Sequence, residues 1–264
     1  LARFVLRLFS KFGAFLTEPL SEINFRFVLS RWTDASMTRR WFRLKHCVLA
    51  ALSFTLIFAT ALAQERRQGV PGQFDYYVLA LSWSPSYCEA RQDRTPDRMP
   101  DRQCSGRPYS FVVHGLWPQY ERGFPSYCMV PPPRLNRLIV ESMLDLMPSP
   151  RLVFHEWDQH GTCSGLSARA YFENVRKARE RINIPPEYLE LGRPIEVTPA
   201  EVADSFVRAN PGLSRSALSI SCDRKWLTEV RICLGRDLSF HDCTNVRRNA
   251  CHVDKARMPA VRGG

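Results

Sequence analysis

At 264 residues and 45% apolar composition, the chain has material for one large domain with a packed core, and wholesale disorder is excluded. Its formal charge of +11 points toward a polyanion or a membrane surface, but the charge is unevenly spread. There are no internal repeats, so repeat architectures drop out as well.

The N-terminal quarter reads as export chemistry. From Met37, four cations (Arg39, Arg40, Arg43, Lys45) precede an uncharged apolar run from Cys47 to Ala63 that closes on Ala61-Leu62-Ala63. That order predicts a secretory signal peptide over 37–63, cleaved after Ala63, rather than an anchor left in the membrane. Residues 1–36 are expected to be an upstream extension outside the mature protein, and 64–264 a single domain, secreted or periplasmic. This exported part has 28 Lys and Arg against 23 Asp and Glu, a net charge of +5 and a weak signal. Twenty-five of those cations are Arg, which suits bidentate phosphate contact. Eight cysteines remain, an even number that predicts a disulfide framework, and no C-x-x-C pair supports zinc or thioredoxin chemistry.

In chain order, residues 74–83 alternate as a strand with Tyr77, Leu79, Leu81 and Trp83 on one face. Residues 109–115 predict a second strand ending at His114, with Gly115 allowing a sharp turn and Pro118 stiffening the exit. Residues 134–147 predict a helix with Leu135, Leu138, Ile139, Ser142 and Leu146 on its stripe, stopped by Pro148. A helix over 167–182 is capped by Ser167. Another starts at Thr198, with Pro199 in its first turn and Glu201 closing a capping box. Residues 217–222 and 226–234 predict two more strands. Strands beside helices without βαβ regularity give an α+β class, a central antiparallel sheet flanked by helices.

The chemistry concentrates in "FHEWDQHGTCSG", residues 154–165. His155 and His160 are five apart, so on a regular helix their rings diverge by about 140°. A zinc site of the H-E-x-x-H kind needs a spacing of four, and that reading fails. His155, Glu156 and Gln159 fall on or near one side, with His160 at the helix end against Gly161. A second histidine must come from elsewhere, and His114 in "FVVHGLWPQY" is the candidate. Trp117 offers a flat face beside it, suited to base stacking.

"HGLWPQY" and "HEWDQHGTC", in this order, resemble the two active-site segments of the ribonuclease T2 family, the secreted transferase-type acid ribonucleases. "FDYYVLALSWSPSYC" and "FPSYC" resemble its opening strand and cysteine loop, and the similarity runs over residues 74–251. The resemblance implies a four-disulfide α+β fold and a single-stranded RNA substrate. The RNA 2′-hydroxyl would attack the adjacent phosphorus, leaving a 2′,3′-cyclic phosphate, without metal or cofactor. His114 and His160 would be the acid–base pair, with His160 leaning to base and His114 to acid. His155 would bind the phosphate, and Glu156 would belong to the charge-stabilising group. Trp117, Gln119 and Phe124 would hold the base 5′ to the cut. The implied disulfides are Cys128–Cys163, Cys222–Cys251, Cys233–Cys243 and Cys88–Cys104. DNA would escape cleavage for want of the 2′-hydroxyl. A monomer without stable membrane association is expected.

One position departs from the pattern. The family commonly carries a lysine before the second motif's last histidine, whereas this chain has Gln159, an amide that brings no positive charge to a developing anion. Either transition-state stabilisation is weaker here or an arginine from another segment substitutes. A catalytically silent RNA-binding relative is the competing reading, which the full set of His114, His155, Glu156 and His160 argues against. Trp157 is expected in the core, and His241 and His252 are expected to be structural or exposed.

Overall fold

The alternating run after Phe74 becomes β1 (Tyr76–Trp83), and its two faces go to different places. The predicted inward set, Tyr77, Leu79, Leu81 and Trp83, is buried in the main apolar core. Tyr76 and Val78 are buried too, in a second small cluster with Cys233 and Cys243. A strand hidden on both faces is a central strand. The computed structural model describes residues 69–94, 102–243, 246 and 250–261. The upstream segment 1–36 and the signal-like stretch 37–63 lie outside the described residues.

β1 pairs antiparallel with β2 (Phe111–Gln119) on one side and with β5 (Trp226–Leu234) on the other. β4 (Leu218–Asp223) forms a hairpin with β5. β3 (Ile195–Val197) and β6 (Ala256–Met258) pair antiparallel and meet β5 at a single parallel contact, Trp226 with Arg257. The result is a six-stranded, almost wholly antiparallel sheet, as expected for the α+β class. All the described residues fall in one compact unit.

The second strand does not end at His114. It continues to Gln119, and Gly115 lies inside it rather than at a turn. Pro118 is accommodated because β2 is the sheet edge, where a missing N–H need not break the ladder. The helix expected over 134–147 is also shorter. Asn136 caps α3 (Arg137–Ser142), accepting from the Leu138 amide, and the chain then passes into turns. Of the predicted stripe, Leu135 is buried and Ile139 and Leu146 pack against the core, whereas Leu138 is 72% exposed and Ser142 is exposed. Val140 is the buried residue within the helix, and Met143 and Met147 follow it into the core.

Two helices were not anticipated from the sequence: α1 (Ser84–Arg94) and α2 (Arg102–Ser105), which Cys88–Cys104 joins. α4 (Pro150–Gln159) starts on a Ser149 cap with Pro150 in its first turn. α5 (Ala168–Glu180) takes its cap from Ser167, and α6 (Pro199–Ala209) has the full Thr198–Glu201 capping box. Both turn amphipathic faces inward: Tyr171, Phe172 and Val175 from α5, and Val202 and Phe206 from α6. The other disulfides are Cys128–Cys163, Cys222–Cys251 and Cys233–Cys243, the pairs that the resemblance implies. Among the described residues no helix is long and apolar enough to cross a membrane.

Candidate active site

His114 occupies a β-bulge. Ala80 pairs with Gly115 and Leu81 with Val113, leaving His114 as the extra residue of β2. A bulge re-aims the side chain it carries. Here it turns a half-exposed imidazole into a cleft of about 480 Å³. The other wall comes from the C-terminal half of α4. That helix ends at Gln159 with His160 as its C-cap, and the chain tightens into a 3-10 turn, Gly161–Ser164. Gly161 is required by close approach, since a Cβ there would overlap the rings of Trp157 and Tyr171.

All eight residues singled out for catalysis and substrate contact border this one cleft: His114, His155, Glu156 and His160 with Trp117, Gln119, Phe124 and Gln159. Trp117 is the pivot. Its ring centroid lies 5.2 Å from that of His114 and 5.3 Å from that of His160, so the two imidazoles flank one indole. Its Nε1 donates to Glu156 Oε2 at 2.7 Å, while Glu156 Oε1 is 3.5 Å from His114 Nε2. Gly115 makes that arrangement possible, because a Cβ there would collide with both the carboxylate and the indole nitrogen. The glycine therefore serves close packing rather than a turn. Phe124, 56% exposed, stands at the rim beyond Gly123. The Gln119 amide donates to the Pro118 carbonyl. Tyr127 donates its hydroxyl to Gln159 Oε1 at 3.3 Å, leaving the amide nitrogen as the donor end of Gln159.

The residues behind His114 were missed by sequence reasoning. Glu229, on β5 and almost fully buried, lies 2.5 Å from His114 Nδ1. Arg231, two residues on, holds Glu229 Oε2 through Nε at 2.9 Å and a terminal nitrogen at 2.8 Å. Its guanidinium also sits 5.3 Å from the Trp117 ring centroid and lines the cleft. The available signal was "WLTEVRICL": two charged residues at strand alternation, hence on one face, inside an otherwise apolar run. Trp157, as expected, is core, with its Nε1 donating to the Pro133 carbonyl. His241 stacks near Tyr76, away from the cleft residues.

The electrostatics separate the two histidines. Burial opposes the charged form of His114, but the Glu229 hydrogen bond and the negative charges of Glu229 and Glu156 outweigh it, so its pKa is raised. Burial, with help from the charges of His114 and His155, pushes His160 down to about 3. Its Nδ1 is buried without a hydrogen-bond partner among the described residues. Burial raises Glu156 to about 7, against the pull of His114 and the Trp117 hydrogen bond. Burial also opposes the Glu229 charge, yet His114 and Arg231 hold that carboxyl down to about 2. One imidazole therefore favours its proton and the other its lone pair, so the two rest in opposite protonation states, as an acid and a base must. Among the described residues no group of three or more His, Cys, Asp or Glu is placed to hold a metal ion.

The pattern of the ribonuclease T2 family matches residues 74–243. A ribonuclease of Aeromonas hydrophila is 34% identical over 199 residues, which cover 73% of this chain and 85% of that protein. A probable ribonuclease of Haemophilus influenzae is 32% identical over 171 residues, covering 60% of this chain and 61% of that protein. Among solved structures, RNase NT in complex with 5'-AMP aligns at 24% identity with a TM-score of 0.56, over 71% of this chain and 99% of that one; that likeness bears on the fold.

Proposed function

The chain belongs to the ribonuclease T2 family and is an endoribonuclease of that type, and from this premise we propose that it cuts single-stranded RNA by transphosphorylation, with His160 as base and His114 as acid. The observation that carries the reading is the placement of both imidazoles against Trp117 with oppositely displaced pKa values. His160 takes the proton of the RNA 2′-hydroxyl as that oxygen attacks phosphorus. The bond from phosphorus to the 5′-oxygen breaks, and His114 Nε2 gives its proton to the departing oxygen. The products are a 2′,3′-cyclic phosphate and a free 5′-hydroxyl. Each proton-transfer partner contributes roughly 10²–10⁴-fold.

His155 and Gln159 contact the phosphate in this scheme, and Glu156, which burial keeps protonated up to about pH 7, belongs in that form to the group that stabilises the charge building on it. Trp117, Gln119 and Phe124 form the base site, and an amide at Gln119, able both to donate and to accept, does not imply a strong base preference. Arg231 is the arginine placed in the cleft to supply the charge that Gln159 lacks. The scheme calls for no metal or cofactor, and DNA has no 2′-hydroxyl to enter it. Export to a secreted or periplasmic location, with cleavage after Ala63 and residues 64–264 acting as a monomeric domain free of the membrane, suits the four disulfides.

The test is product analysis by 31P NMR on a panel of dinucleotides with EDTA present, comparing wild type with His114→Ala. Cyclic phosphate from wild type and none from the variant is expected. EDTA-sensitive cleavage, or full activity in the variant, would overturn the scheme.

A further inference from the structure

Glu229 belongs to neither active-site motif, yet it is held against His114 from several sides. Its Oε1 lies 2.5 Å from His114 Nδ1 and accepts from the Ser82 hydroxyl at 3.1 Å. Its Oε2 accepts from Arg231. The carboxylate is 7% exposed, sits behind the imidazole, and does not line the cleft itself. A group so enclosed cannot swing toward substrate.

An ionised carboxylate only accepts hydrogen bonds. Contact at Nδ1 therefore requires the proton to reside on that nitrogen, in both the neutral and the charged imidazole. Nε2 is left as the nitrogen that gains and loses a proton, and it is the one beside Glu156 Oε1. Resting on the reading of His114 as the acid, the geometry points to Glu229 as a positioning residue for the reaction: it fixes the ring and tautomer of His114 so that Nε2–H faces the leaving 5′-oxygen, and its charge keeps that proton in place until transfer. Glu229 does not take a proton itself. In the acid step Nε2–H passes to the 5′-oxygen as that oxygen leaves phosphorus, while Nδ1–H stays between the ring and the carboxylate. The hydrogen bond also orients Nε2 for recharging from solvent.

The charged and titratable groups facing His114 are Glu229 and Arg231 from β5, and Glu156, His155 and His160 from α4 and its end. Glu156 lies farther away, and its second oxygen is committed to Trp117, so it does not replace Glu229 at Nδ1. An opposite charge at this range typically moves a pKa by about 1–3 units. Glu229→Gln keeps an acceptor and removes the charge, so it isolates the second effect.

Two measurements decide the matter. Histidine 15N NMR on wild type above the His114 pKa should show the Nδ1–H tautomer; an Nε2–H tautomer overturns the inference without any variant. In Glu229→Gln, the alkaline limb of kcat/KM against pH, and the NMR titration of His114, should both move down by about one unit or more. A uniform loss of rate with both unmoved would mean that the carboxylate is structural only. His114→Ala separates the two levels. If that variant cleaves as well as wild type, the acid assignment falls; if it is inactive while Glu229→Gln keeps its limbs, only the role of Glu229 falls.

Discussion

Glu156 Oε2 accepts a 2.7 Å hydrogen bond from Trp117 Nε1 across the space that Gly115 leaves open. The carboxylate is 1% exposed, so it depends on that donor and on His114 for its polar contacts in the cleft. Gly115→Ala would push a methyl group into both partners. Overpacking of this kind costs about 1–3 kcal/mol, and if the displacement falls on Glu156 and Trp117, kcat should drop roughly ten- to hundredfold. Steady-state cleavage of a dinucleotide, read beside a thermal melt, checks this. Wild-type kcat in a folded variant would show that the reaction is indifferent to where Glu156 sits.

The pH profile follows from the two imidazoles. In the proposed scheme the base, His160, must be neutral, and its pKa is pushed down to about 3; the acid, His114, must be protonated, and its pKa is raised above 6.5. The curve of kcat/KM should be a broad bell, with its acid limb near pH 3–4 and its alkaline limb above 6.5. Its two apparent constants belong to the coupled pair. An alkaline limb well below pH 6.5 would contradict the raised acid.

Much of this site was legible because it is packed into two short stretches. His114 to Gln119 lie on one strand and His155 to His160 on one helix end, so spacing alone argued against a helical zinc site and called for a partner histidine. The bulge at His114 was not legible: it depends on the register of β2 against β1, which no local residue announces. Glu229 and Arg231 come from a strand more than a hundred residues from His114 and have meaning only once β5 lies beside β1. The stripe predicted over 134–147 is met at Leu135, Ile139 and Leu146 but fails at Leu138. The helix runs for only six residues, too few for a 3.6-residue period to choose between Leu138 and Val140, and tertiary packing made the choice.

Stability should also depend on pH, with signs that oppose each other near neutrality. A histidine depressed to about 3 binds its proton more readily when unfolded, so its contribution is lost as pH falls from 6.5 toward 3. Glu229, held at about 2, loses its contribution as pH falls from 4.5 toward 2. Glu156, raised to about 7, and His114 favour the folded state on the acid side, and that contribution fades as pH rises through their folded pKa values. Between 4.5 and 7 these effects partly cancel. Below 4.5 His160 and Glu229 act together, and a loss on the order of 3 kcal/mol between pH 4.5 and 3 is expected. Urea midpoints at pH 3, 4.5, 6 and 7.5 measure it; a flat acid side would rule out a buried neutral His160.

Cys128–Cys163 couples the loop bearing Phe124 and Tyr127 to the turn after His160. Cys128→Ser with Cys163→Ser should destabilise the domain by about 2–5 kcal/mol. It should also raise KM, because Tyr127 would no longer be pinned against Gln159. Chemical denaturation and kinetics on the same preparation give both numbers. Unchanged KM in a destabilised variant would confine the disulfide to a structural role.

Gln159 and Arg231 line the same cleft, one an amide and the other a cation resting on Trp117. If negative charge on the phosphorane is the quantity in deficit, Gln159→Lys should raise kcat several-fold with little change in KM. Arg231→Met should lower kcat about tenfold or more, since a charged hydrogen-bond partner contributes roughly 1.5–3 kcal/mol. The double variant separates the two duties of Arg231. A new lysine at position 159 can replace its charge at the phosphate but not its grip on Glu229, so recovery of rate should be partial, with the alkaline limb still displaced. A kcat that falls or stays flat in Gln159→Lys, and a double variant no better than Arg231→Met, would mean that Gln159 leaves no charge to be made good.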